Sequence, residues 1–164
     1  MRVVLAAVLL ASAGCRIDLD HADSGRVCKV STAAVCAEAD SHADFAWIES
    51  KIFAANCFGS AGHTGPTASG KRDLSVGNSY ATLMGPTGTG VMSNVDPSRT
   101  LVVPFKPEQS YLFFMVQGVD AADGDPPFTT PPTTIGFMPS KSTTLCCQKI
   151  DAIERWILAG APND

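Results

Sequence analysis

Three side chains in this sequence carry chemistry that an ordinary core does not need: Cys57, His63 and Met138. Cys57 and His63 share the stretch Ala55-Asn56-Cys57-Phe58-Gly59-Ser60-Ala61-Gly62-His63, which follows directly on an amphipathic run. Met138 stands far downstream in Phe137-Met138-Pro139, at the end of a proline-rich segment. Imidazole and thioether together form an axial pair that holds a haem iron and raises its reduction potential. Each residue also has a plainer reading. A cysteine can act as a small buried hydrophobe, and a methionine most often fills a core. A histidine followed by Thr-Gly-Pro can be an ordinary loop residue. By itself C-x5-H is a weak signal, and the trio gains meaning only from its order and its surroundings.

Other chemistries fit less well. A copper site built on Cys, His and Met needs a second histidine, and His21 and His42 sit in the wrong segment to provide one. Neither Gly-x-Ser-x-Gly nor His-Glu-x-x-His occurs. Nothing near Cys57 and His63 in the sequence supplies the activation that a catalytic Cys/His dyad requires. The chain does not read as an enzyme.

The elements that must position these residues follow from composition and pattern. At 164 residues the chain makes one domain once an N-terminal segment is set aside. With 45% hydrophobic and 17% charged residues it has apolar material for a core, while fourteen Gly and eleven Pro predict long irregular connections. A formal net charge of −4 gives no basic surface for nucleic acid.

Arg2, the apolar Val3 to Leu10 and the small residues after them read as a secretory leader, too short to span a bilayer. Ala11-Ser12-Ala13 offers ordinary cleavage. Ser12-Ala13-Gly14-Cys15 resembles a lipobox, in which Cys15 is lipidated and becomes the new N-terminus, although Ser12 stands where such motifs usually carry Leu. Either route exports the mature chain, to the periplasm or to the outer membrane as a lipoprotein anchored through Cys15. The expected organisation is a signal peptide over 1–14, a tether and cysteine-containing extension over 15–40, and a domain over 41–164. Asp18, Asp20, His21 and Asp23 read as solvated linker rather than a metal cluster.

In an oxidising compartment cysteines pair by default. Cys28, Cys36, Cys146 and Cys147 are candidates for two bridges between an early segment and a late one, with connectivity open and Cys57 left over. Ser41-His42-Ala43-Asp44 has capping-box spacing and predicts a helix to about Ala55, with Phe45, Ile48 and Ile52 on one stripe and Trp47 and Phe53 beside it. Residues 58–72 predict loop. Asn78 to Met84 predicts a short helix stopped by Gly85. Pro107 is placed to start another helix, on which Tyr111, Phe114 and Met115 share a face, and a strand over 111–116 is the alternative. Residues 118–137 predict loop. The last helix is the clearest: Cys146, Ile150, Ile153 and Ile157 recur at helical spacing, Lys149, Asp151, Glu154 and Arg155 lie on the other sides, and Gly160 and Pro162 end it. The fold class is mainly α.

In that order, these features resemble a single-haem, class I-like cytochrome c domain of exported bacterial proteins, closest to members with a C-x4-C-H attachment motif. The resemblance spans about residues 44–162 and includes Asp73-Leu74-Ser75, Ser79-Tyr80-Ala81-Thr82-Leu83, Ser110-Tyr111-Leu112, the Met138-Pro139 loop and a terminal helix ending Trp156-Ile157-Leu158-Ala159-Gly160-Ala161-Pro162. It implies a small helical domain whose N- and C-terminal helices pack together. It also implies haem c as cofactor, Cys57 as first attachment thiol, His63 as proximal ligand and Met138 as distal ligand, with redox or envelope proteins as partners. Gly62 stands where the second attachment cysteine belongs, so at most one thioether is possible. The competing expectation is a haem-free descendant of the same fold that serves as a structural or partner-binding envelope lipoprotein.

Overall fold

A computed structural model of the chain describes residues 28–58, 62–94, 96–118, 138–139 and 145–164. The leader, Cys15, the acidic cluster from Asp18 to Asp23 and the proline-rich stretch before Met138 lie outside them. The fold is mainly helical, at 48% helix with no strand among the described residues. Met92 and Thr100 form an isolated antiparallel bridge.

The first helix, α1 (Ala34–Ala39), lies within the segment expected to be a cysteine-containing extension, and its Ala39 is fully buried. A short link leads to α2 (Phe45–Ile48), which continues through a π-helical turn, Glu49–Phe53, into α3 (Ala54–Asn56). The cap differs from the capping box expected from the sequence. Asp44, not Ser41, is the N-cap of α2, and its side chain accepts from the Trp47 N–H at 2.9 Å. Ser41 instead donates its hydroxyl to the Glu38 carbonyl of α1, at 2.9 Å. The other orphan amides of α2 find oxygen on Asp164: Phe45 N–H donates to its side chain and Ala46 N–H to its backbone. Carboxylate oxygens at this end also match the positive pole of the helix. The expected stripe holds, since Phe45, Trp47, Ile48, Ile52 and Phe53 are all buried.

After two 3-10 turns at Gly65–Thr67 and Ser69–Lys71 comes α4 (Ser79–Met84), which ends at Gly85 with φ +68°. Glu49 in the π-helical turn accepts from the Ser79 hydroxyl and from the Gly77 N–H, which ties α4 to the first helical run. Pro107–Gln109 forms a 3-10 turn and α5 (Tyr111–Gln117) follows, so the strand alternative for this stretch is not realised. The reason is packing: Tyr111, Leu112, Phe113, Phe114 and Val116 are all buried, which a half-solvated strand would not need.

The last helix, α6 (Cys147–Leu158), packs against α1, α2 and α5. Ile150, Ile153, Trp156 and Ile157 are buried on it, and the Trp156 ring lies 5.1 Å from Phe45 at its centroid. The indole N–H is satisfied by the Pro162 carbonyl at 2.8 Å. Contrary to the sequence pattern, Lys149 and Arg155 are not solvent-facing partners of that stripe. Lys149 is buried, and Arg155 donates to the carbonyls of Ala39 and His42, clasping α1 to α6.

The four candidate cysteines form nested bridges, Cys28–Cys147 and Cys36–Cys146, which join both ends of the α1 segment to the start of α6. Nesting makes them redundant. Once one bridge closes the long loop, the other closes only the short stretches between Cys28 and Cys36 and between the two adjacent cysteines, and loop-closure entropy scales with loop length. Replacing Cys28 and Cys147 by Ser should therefore cost much less than replacing all four. The four-fold variant should lose on the order of 5 kcal/mol of unfolding free energy, read from urea denaturation; additive losses from the two bridges would contradict the nesting argument.

Candidate functional site

Cys57 ends the first helical run, where its N–H closes the last turn on the Phe53 carbonyl at 2.9 Å. The chain then returns on itself, and the His63 N–H donates to the Cys57 carbonyl at 2.9 Å. Two further bonds hold the return in place. Ser69 N–H donates to the Gly62 carbonyl, and Leu74 N–H to the His63 carbonyl, each at 2.8 Å. Leu74 is buried in the core, so His63 is fixed between a helix end and a core residue.

The half-buried imidazole of His63 meets the Arg72 carbonyl through Nδ1 at 3.3 Å. A carbonyl only accepts, so Nδ1 is the donor in this contact, and Nε2 is the ring nitrogen left for a ligand. That is the orientation in which metal-ligating histidines are commonly held. Sequence patterning did not mark Arg72, although it organises this face. Its guanidinium donates to the carbonyls of Met92 and Thr82 and to Asn94 Oδ1, while Asn94 returns an N–H to the Gly70 carbonyl. Burial lowers the pKa of this guanidinium below the ordinary value. Asp73 does the same work next door, accepting from the N–H groups of Gly65 and Ser75 and from the Ser75 hydroxyl. Those bonds, Ser75's first, hold its carboxyl below the usual carboxylate range.

Met138 is half-buried against the common apolar core, and its N–H donates to the Met115 carbonyl of α5 at 2.9 Å. The Met138–Pro139 peptide is cis. The structure thus joins Cys57 and His63 through one backbone turn and sets Met138 on α5, with Cys57 and Met138 packed on the same core. Among the described residues no group of three His, Cys, Asp or Glu side chains is arranged to hold a metal ion. His42, the described second histidine, is engaged elsewhere, stacked on Trp47 at 4.7 Å and bonded to Asp44 through Nδ1 at 2.6 Å. That removes it from any copper set with Cys57.

Cys57 is the free cysteine among the described residues. Burial pushes its pKa up to about 11, partly opposed by the positive charge of Lys149 nearby. The thiol is therefore protonated at neutral pH and a poor nucleophile in the folded state. In the haem-free chain, alkylation of Cys57 by iodoacetamide should be slow near neutrality and rise about tenfold per pH unit until pH nears about 11. Folding raises this pKa, so its stabilising contribution is complete below the ordinary thiol value and is lost as pH rises through about 11. Fast alkylation near neutral pH, followed by mass spectrometry, would contradict the shielded thiol.

No helix among the described residues is long and apolar enough to cross a membrane. The two bridges are compatible with an exported protein. Comparison with protein-family models, with curated proteins and with solved structures gives no match.

Proposed function

We propose that this chain is a cytochrome c-like, haem-binding electron-transfer module of the cell envelope, with His63 and Met138 as axial ligands and at most one thioether, through Cys57. The observation that carries this reading is the placement of His63 and the contact of its Nδ1 with the Arg72 carbonyl. A backbone carbonyl meets Nδ1, which leaves Nε2 as the nitrogen available to a metal. The donor set fits haem iron in type, since imidazole and thioether are the pair that suits electron transfer over oxygen chemistry. When bound, haem supplies one-electron exchange at its iron. This chain's own residues would do the rest: the Arg72 carbonyl would keep the imidazole in register, and Met138, whose N–H is bonded to the Met115 carbonyl of α5, would contribute sulfur.

Attachment is where the fit is incomplete. Gly62 cannot form a thioether, and the one remaining thiol is held protonated in the fold. A second reading rests on that point together with the core itself. Phe53, Trp156, Ile48, Ile52, Ile150, Ile153 and Ile157 pack into one contiguous apolar cluster, the kind of core a structural or partner-binding module needs. Resemblance in fold does not decide between the two, because function lives in the site.

Expression with cytochrome maturation factors, followed by denaturation, separates them. A Soret band and a haem-sized mass increase on the denatured chain support a covalent link at Cys57. Colour that is lost on denaturation supports noncovalent binding by His63 and Met138. A colourless chain of unmodified mass removes the haem reading. In a loaded protein, Met138→Ala should lower the reduction potential and open or exchange one axial position; an unchanged potential refutes its role as ligand.

A further inference from the structure

Lys149 is out of place for a lysine on an amphipathic helix. It lies in the first turn of α6, at the positive end of the helix dipole, and is only 6% exposed. Its ammonium donates to the Lys51 carbonyl and to Asn56 Oδ1, each at 2.8 Å. An ammonium has three donors, so the third has no protein acceptor among the described residues. No carboxylate among them pairs with it either, and a buried charge without a counter-charge is costly. The first turn of α6 contains no acidic residue, and Cys146 offers no side-chain cap.

Lys149 also lines a cavity of about 260 Å³, with Lys29, Ser31, Asn56, Leu145 and the Cys36–Cys146 bridge. Every polar side chain on this wall has a donor to spare. Asn56 Oδ1 is taken by Lys149, which leaves the Nδ2 hydrogens. Ser31 Oγ accepts from the Ala33 N–H, which leaves its own proton free to donate. Lys29 is exposed and adds a second ammonium. Ser31 is held at this wall by a reciprocal pair of bonds with the Gln148 side chain, at 3.2 and 2.8 Å. Two lysines, an amide and a hydroxyl line this cavity at the start of α6, with no carboxylate among the described residues of its wall.

We propose that this cavity is a binding site for a small phosphate-type oxyanion, with Lys149 as its buried charge and Lys29, Ser31 and Asn56 as further donors. The phosphate group is the shared chemistry of two sources, a free inorganic anion and a phospholipid headgroup. Among the described residues of its wall, none of Cys57, His63 and Met138 lines this cavity, so the site does not require haem.

Thermal unfolding of the full oxidised chain in inorganic phosphate, against chloride at matched ionic strength, tests the site. The expected result is a saturable rise in Tm with phosphate alone, because a ligand of the folded state stabilises by mass action. Lys149→Met should abolish that rise while leaving the fold, since an apolar side chain of similar length strands no charge. Lys29→Gln, at an exposed position, should weaken the phosphate response severalfold, and it keeps the test decisive if Lys149→Met folds poorly. No phosphate response in the unmodified chain, an equal response to chloride, or an unchanged response in both variants overturns the proposal. Sedimentation with phosphatidylglycerol vesicles then separates the sources. Binding competed by inorganic phosphate points to the headgroup, and a phosphate response without competed vesicle binding points to the free anion.

Discussion

A helix of twelve residues is marginal in water on its own, so α6 persists because its surroundings grip it along its whole length. At the start, two disulfides fasten it to the α1 segment, and the Cys147 N–H donates to the Lys29 carbonyl. In the middle, Ile150, Ile153 and Trp156 fill the centre of the core, while Arg155 reaches out to the carbonyls between α1 and α2. At the end, the Ile157 carbonyl accepts from the Phe105 N–H, and the Phe105 ring lies so close to Gly160 that a Cβ there would stand 2.5 Å from it. With φ at +95° as well, that position is suited to glycine on two counts. The helices α1, α2 and α5, of only four to seven residues, pack directly on it.

The candidate haem residues are held by a different device. The turn from Cys57 to His63 is closed by backbone bonds, and its outer face is organised by Arg72 and Asp73 through many acceptors and donors of the chain itself. Of residue 62 the turn uses the backbone carbonyl, which accepts from the Ser69 N–H at 2.8 Å.

Charge is distributed unevenly between the two ends of this arrangement. Burial lowers the pKa of the Lys149 ammonium and raises that of the Cys57 thiol, and each pulls the other back toward its ordinary value. The pair joins the end of α3 to the first turn of α6. The turn that carries His63 and the anion-type cavity are thus adjacent along the chain at Asn56 and Cys57, but they rely on different groups.

Periodicity made the last helix, the first helical run and its buried stripe legible from the residues, because a 3.6-residue repeat of apolar side chains has few other solutions. Composition likewise announced the long connections, and the number and grouping of cysteines announced a staple between early and late segments. What the sequence alone determined was therefore which residues must be buried or joined. Only tertiary structure decided which cysteine meets which, that Asp44 rather than Ser41 caps α2, that residues 111–117 are helix, that Lys149 turns inward, and that a carbonyl nine residues away orients His63. Each of those outcomes depends on groups distant in sequence competing for the same hydrogen bond or the same volume, and no local pattern records the result of that competition.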